Sequence, residues 1–436
     1  MGDFLQNGVI TTLHQLGRPD PRGLAREIGT FAAQRPVALV LPSLYSELAG
    51  EALPRILDGL AKITYLKEVV VTLGVAGPRD YRDAVRYFSR LPYKVRVIWN
   101  DGPRITALKE EMRAASLFPG EPGKGLAAWL AYGYLLGDSD VYAIALHDCD
   151  ILTYRPVLLH RLVYPIVNPN LDYEFCKGYY ARVTDRLHGR VTRILVTPLL
   201  RALSRMLGDS PFLAYLDSFR YPLAGEFCMH ADVARINRIP ANWGLEIGTL
   251  AEVFRNYSAR RVCQVDLAID YDHKHQETGI EAPRFTGLVR MAHEIAATLF
   301  QALASDGIEL RPSFFRSLRA TYLRCAQDAI RQYGDLSAIN GLVYDRHNED
   351  MLAEAFGQVI DQAGDEFGRN PLGAPQIPNW NRANSAIPDI HARLRAAVDA
   401  DNEDAVRAPR RAGHPSSHPA GNGVTRPARS RRALRG

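Results

Sequence analysis

Residues 141–150 read VYAIALHDCD. Val141–Leu146 is a short, continuous apolar run with β-branched residues, the pattern of a strand buried on both faces. His147-Asp148-Cys149-Asp150 follows at once, so two carboxylates stand at i and i+2 past a strand's carboxyl end. In an Asp-x-Asp unit of this kind the first carboxylate can hold a ribose or a metal-bound water. The second can bind a divalent cation, which neutralises a diphosphate. A turn or a cap explains an isolated Asp-x-Asp equally well. The preceding strand is what gives this one weight.

Outward from that stretch, Val37–Leu41 (VALVL), Glu68–Leu73 (EVVVTL) and Val95–Trp99 (VRVIW) have the same buried-strand character. Glu51–Ile63, Asp80–Ser89, Arg104–Ser116 and Gly125–Leu136 lie between them with helical patterns. Strand-helix alternation predicts an α/β fold with a mainly parallel, Rossmann-like sheet. Ligands bind at the carboxyl ends of such strands. Tyr173–Tyr180 and Arg261–Leu267 read as two further strands. After Pro283, apolar residues recur at Leu288, Ala292, Ile295, Leu299 and Leu303, which is helical spacing. Ser313 is placed to cap a second helix, and a third is expected over Asn348–Ala363. The expected organisation is a helical lead-in over 1–35, the α/β domain over 36–282, a helical extension over 283–400 and a disordered basic tail over 401–436.

The chain has 436 residues, 47% of them hydrophobic, and a net charge of +5. Eight arginines follow Asp404 with no acidic residue among them; without them the charge is 5 − 8 = −3. The folded part therefore carries no nucleic-acid footprint, whereas the tail suits an anionic partner such as RNA or lipid. No apolar run approaches the length of a membrane span. Met1–Gly17 lacks the features of a signal peptide. Five cysteines, an odd number without C-x-x-C spacing, suit free thiols in a reducing cytoplasm.

Four more constellations suit a phosphate- and sugar-binding site. Asp272-His273-Lys274-His275-Gln276 follows the strand Arg261–Leu267; if it is extended, His273 and His275 point the same way and one can complete a metal's ligand set. Mixed oxygen and nitrogen ligation suits Mg²⁺, Mn²⁺ or Co²⁺; an exposed polar loop is the competing reading. Gly123-Lys124-Gly125 opens a helix, with a lysine able to meet phosphate. It is not a Walker loop, because Gly125 stands where Ser or Thr is required, and no G-x-G-x-x-G follows the first strand. Gly189-Arg190-Val191-Thr192 opens the helical run Val191–Met206, where amides, a guanidinium and a hydroxyl can cradle phosphate or carboxylate. Pro222–Glu226 (PLAGE) and Trp243–Gly248 (WGLEIG) suit a sugar pocket, although Glu246 equally suits a helix N-terminus.

Taken in order, these segments resemble the glucosyl-3-phosphoglycerate synthase family over roughly residues 36–276. The resemblance implies a GT-A type nucleotide-sugar-binding domain and a retaining glycosyltransferase, with a nucleoside-diphosphate glucose as donor and 3-phosphoglycerate as acceptor. Pro42, Ser43, Leu44, Glu47 and Lys124 would then meet the donor, and Asp148 its ribose or a metal water. Asp150 and His273 would hold a divalent metal, Mg²⁺ or Mn²⁺, with Co²⁺ as a further candidate. Gly189, Arg190, Thr192 and His275 would hold the acceptor, and Glu226 would orient the glucose. Tyr45-Ser46-Glu47 replaces the family's Asn-Glu, which leaves the donor's base open, and Thr72-Leu73-Gly74-Val75 replaces its Asp-Ser-Gly-Ser turn. His275 stands where the family often has Asn. The alternatives are transfer to glycerate, as in glucosylglycerate and mannosylglycerate synthases, a nucleotidyltransferase, or a binding protein using the tail. Family members are often dimers, so a homodimer is also expected.

Overall fold

The computed structural model describes residues 6, 8–16, 20–268, 271–272, 287–373 and 375–408. Its strands are β1 (Thr11–Leu13), β2 (Val37–Leu44), β3 (Leu66–Gly74), β4 (Lys94–Trp99), β5 (Ala143–Leu146), β6 (Phe175–Tyr180), β7 (Phe227–His230) and β8 (Val262–Ala268). They form one sheet in the order β1-β8-β6-β7-β5-β2-β3-β4. Every neighbouring pair is parallel except the two made by β7, which runs antiparallel to β5 and β6. Val37 to Leu41 of β2 are wholly buried, as a central parallel strand with helices on both faces must be.

The lead-in is not purely helical. Helix Pro21–Ala32 forms, but Thr11–Leu13 joins the sheet edge beside β8. Long-range contacts hold it there: the Gln264 amide donates to Thr12 Oγ1 at 2.9 Å. β7 was also not expected; its four residues carry no alternation, and pairing with β5 and β6 alone makes them a strand.

The C-terminal helices share a core with one sheet face instead of standing apart from it. Trp129 and Trp380 stack with centroids 3.8 Å apart, and each indole N–H bonds a backbone carbonyl near the other. Gly133 leaves room for this pair, since a Cβ there would lie 1.9 Å from the Trp380 ring. Helix Ile390–Arg407 runs past the expected boundary at residue 400, so the first part of the expected tail is helical, and 409–436 lies outside the described residues. This helix covers the edge of β4: the Asn402 amide accepts from Val97 N at 3.0 Å and donates to Val97 O at 2.8 Å, as a neighbouring strand would. Arg96 and Arg104 pair with Asp399 and Asp401 beside it. No helix among the described residues is long and apolar enough to cross a membrane.

Candidate active site

The fold brings the carboxyl ends of β2 and β5 side by side, because the two strands pair in register from Val37↔Ala143 to Val40↔Leu146. Pro42, Ser43 and Leu44 therefore end β2 next to the Asp148 and Asp150 loop. Glu47 follows in the one-turn helix Tyr45–Ala49. Burial raises the Asp150 carboxyl to about 7, and the negative charges of Asp148 and Glu47 push the same way. Hard carboxylate oxygens with this excess of negative charge suit a divalent cation.

Lys124 is the hub of the site. Its Nζ lies 2.7 Å from Asp148 Oδ1 and 3.0 Å from Glu246 Oε1. Helix Lys124–Leu136 supplies the lysine and helix Leu245–Asn256 the glutamate. The flanking glycines have a different task from ligand approach. A Cβ on Gly125 would sit 1.8 Å from Pro240 O, and one on Gly123 would sit 2.4 Å from Ala241 O. They let the helix start press against loop 240–242, which carries the chain into the Glu246 helix. Gly225 does the same for the carboxylate: a Cβ there would fall 2.3 Å from Asp148 Oδ2.

Glu226 is buried, with both oxygens in use. Tyr180 donates to Oε2 at 2.7 Å, and Tyr271 donates to Oε1. The two tyrosine rings stack 3.5 Å apart. Burial raises the Glu226 carboxyl, with the Asp148 charge adding to it. Each carboxylate oxygen has a second acceptor site, so this pairing does not exhaust Glu226. The tyrosine pair was not foreseen, because Tyr180 and Tyr271 are distant in sequence and only β6 and the end of β8 bring them together.

Lys177 was missed altogether. It lies on β6 opposite Phe227 of β7, wholly buried, and its Nζ has no hydrogen-bond partner among the described residues. Nζ lies 5.2 Å from the Phe227 ring centroid. Burial lowers its pKa to about 8, against the opposing pull of Glu246 and Glu226. A lone lysine inside an otherwise apolar strand was the available signal. Glu246, Glu226 and Asp148 all attract the Lys177 ammonium, so it adds to Lys124 in offsetting the site's negative charge. Because Lys177 holds its proton less tightly folded than unfolded, its charge costs about 3 kcal/mol below about pH 8, and the cost fades toward pH 10.5. Lys177→Met is therefore expected to unfold at higher urea than the parent near pH 7, with the gap closing near pH 10, while turning over about tenfold more slowly. A variant less stable than the parent near pH 7 would contradict this.

The segment Gly189-Arg190-Val191-Thr192 sits farther along the same rim. Gly189 adopts φ +71°, and a Cβ there would fall 3.2 Å from Tyr221, whose ring lies 5.1 Å from that of Tyr180. The expected helical run divides into a π-helical turn, Val191–Val196, and the α-helix Thr197–Leu207; such turns often mark functional sites. Thr192 Oγ1 is buried with no partner among the described residues. Arg190 Nε lies 3.1 Å from Glu349 Oε1. His273 and His275 lie outside the described residues, and no set of three His, Cys, Asp or Glu side chains among the described ones is placed to hold a metal.

The fold resembles that of a crystal structure of glucosyl-3-phosphoglycerate synthase from Mycobacterium tuberculosis in complex with Mn²⁺ and UDP-glucose. The match has a TM-score of 0.50 at 20% identity, covering 70% of this chain and 89% of that one. The fold is that of a GT-A type glycosyltransferase, and Asp148, Asp150 and Lys124 lie together beyond the carboxyl end of β5. No family model matches the chain. Its sequence is 47% identical over 404 residues to the glucosyl-3-phosphoglycerate synthase of Persephonella marina, covering 93% of this chain and 100% of that protein. It is 40% identical over 404 residues to that of Methanococcoides burtonii, covering 92% and 98%. The chain belongs to the glucosyl-3-phosphoglycerate synthase family.

Proposed function

We propose that this enzyme transfers glucose from a nucleoside-diphosphate glucose to 3-phospho-D-glycerate, giving glucosyl-3-phosphoglycerate and the nucleoside diphosphate. The anomeric carbon loses its bond to the diphosphate oxygen and gains one to the acceptor's hydroxyl oxygen. The proton of that hydroxyl leaves with the diphosphate, so no side chain need act as base if configuration is retained, as the family resemblance implies. The observation that carries the reading is Lys124, held between Asp148 and Glu246 beside the Asp150 carboxylate. A fixed positive charge among these carboxylates suits a bound diphosphate.

A divalent metal, Mg²⁺ or Mn²⁺ with Co²⁺ as a further candidate, would be held by Asp150 and His273. When bound it neutralises charge developing on the leaving diphosphate. Asp148 would steady the ribose or a metal water, and Ser43 and Glu47 would line the donor's path. Glu226 would orient the sugar through its second acceptor sites and through Tyr180 and Tyr271. Gly189, Arg190 and Thr192, with His275, would take the acceptor's phosphate. A cytoplasmic location is supported by five free, buried thiols; Cys228, Cys176 and Cys263 stand side by side across β7, β6 and β8 without bonding covalently. A homodimer completes the reading, and a monomeric mass in light scattering would remove that part of it.

The test is product formation from UDP-, GDP- and ADP-glucose and GDP-mannose, each with 3-phosphoglycerate or glycerate, with metal and with EDTA. Metal-dependent glucose transfer to 3-phosphoglycerate, with acceptor KM raised at least about tenfold in Arg190→Ala, is the expected result. Transfer to glycerate alone would mean that Arg190 reads a carboxylate.

A further inference from the structure

Glu349 lies 159 residues beyond Arg190, on helix Arg346–Arg369 of the C-terminal extension. It is 3% exposed, and buried carboxylates persist only when well paired. Its partners are the two arginines of the acceptor segment, and it treats them differently. Arg193 is consumed by the protein: Nη1 and Nη2 both bond Glu349, the latter at 2.7 Å, and Nε bonds His188 O at 3.2 Å. Tyr333 lies beneath its guanidinium at 5.3 Å. Arg190 meets the same carboxylate through Nε alone. Its two Nη groups have no partner among the described residues, and its side chain is 30% exposed. The end of the fork that suits a bidentate oxyanion is therefore the end left open.

We propose that Glu349 is a positioning residue for the acceptor: by pinning Arg193 at two points and Arg190 at Nε, it holds the Nη pair of Arg190 ready for the acceptor's phosphate. The C-terminal helices thereby take part in substrate recognition. The inference rests on the reading of Arg190 as the phosphate's ligand. Oε1 accepts from both Arg190 Nε and Arg193 Nη2, and Oε2 from Arg193 Nη1; an amide at 349 removes the charge that pairs both guanidiniums and sets its Nε2, a donor, against one of them. With the charge gone and one acceptor turned into a donor, position 349 no longer fixes both guanidiniums, and Arg190 is held less firmly.

The experiment is a double-mutant cycle of Arg190→Ala and Glu349→Gln, read as KM for 3-phosphoglycerate, KM for the nucleotide sugar and kcat. Glu349→Gln is expected to raise the acceptor KM about tenfold and leave the donor KM unchanged. In the Arg190→Ala background it is expected to change the acceptor KM by less than about twofold, because the residue it acts through is gone. Glu349→Asp, which keeps the charge, gives an intermediate acceptor KM and stands in if the amide variant does not fold. An unchanged acceptor KM in a folded Glu349 variant, or the same increase with and without Arg190, would overturn the proposal. If Arg190→Ala alone leaves the acceptor KM unchanged, the phosphate-ligand reading falls first and takes this inference with it.

Discussion

Asp150→Ala is expected to lower sugar transfer about a thousandfold at saturating metal, and EDTA to do the same to the parent enzyme. The leaving group of a nucleoside-diphosphate sugar is the diphosphate, and a cation bound there would supply several kcal/mol of charge stabilisation; losing about 4 kcal/mol of it is a thousandfold in rate. Asp150 follows β5 directly and shares its surroundings with Asp148 and Glu47. Burial and those like charges hold its carboxyl at about 7, so the site disfavours an ionised Asp150 unless a cation is present. Removing that carboxylate relieves repulsion, and the variant should melt no lower than the parent without metal. Initial rates across a Mn²⁺ titration, beside thermal melts, check both points. Retention of more than about a tenth of the parent rate would show that the metal is held without Asp150.

Gly225→Ala is expected to cost about a hundredfold in turnover although it removes no functional group. The added methyl would lie 2.3, 2.7 and 2.9 Å from Oδ2, Cγ and Oδ1 of Asp148, so the whole carboxylate must turn away. Its bond to Lys124 then breaks, and a buried lysine is left with Glu246 alone. Gly225 does not have a positive φ, so the effect is steric and not a backbone strain. The same substitution in an Asp148→Ala background has nothing to displace and should lower the rate little further. Near-parental turnover in Gly225→Ala, or equal losses in both backgrounds, would refute this account of the glycine.

β2, β3, β4 and β5 are legible in the sequence because a strand covered by helices on both faces must be apolar along its length, which leaves an uninterrupted run to read. The Asp148 and Asp150 loop is legible for the same reason: its position follows from the strand before it. Lys124, Arg190 and Thr192 are visible as types with suitable chemistry, but their partners are not. β1 and β7 escape notice, since three or four residues carry too little pattern and become strands only by pairing with segments far along the chain. The division of 191–207 into a π-helical turn and an α-helix leaves no mark in the periodicity.

Local order along the chain thus dictates the parallel α/β core, the edge where chemistry can occur and the residue types available there, because strand burial and helix periodicity are written within a few residues of each site. Packing across the fold assigns the contacts: Glu246 to Lys124, Tyr180 and Tyr271 to Glu226, Gly225 to Asp148, and Glu349 to Arg190 and Arg193. Those pairs lie up to 159 residues apart. Their partnership depends on buried charges finding counter-charges in a low-dielectric interior, a condition that exists only once the sheet and both sets of helices have closed around them.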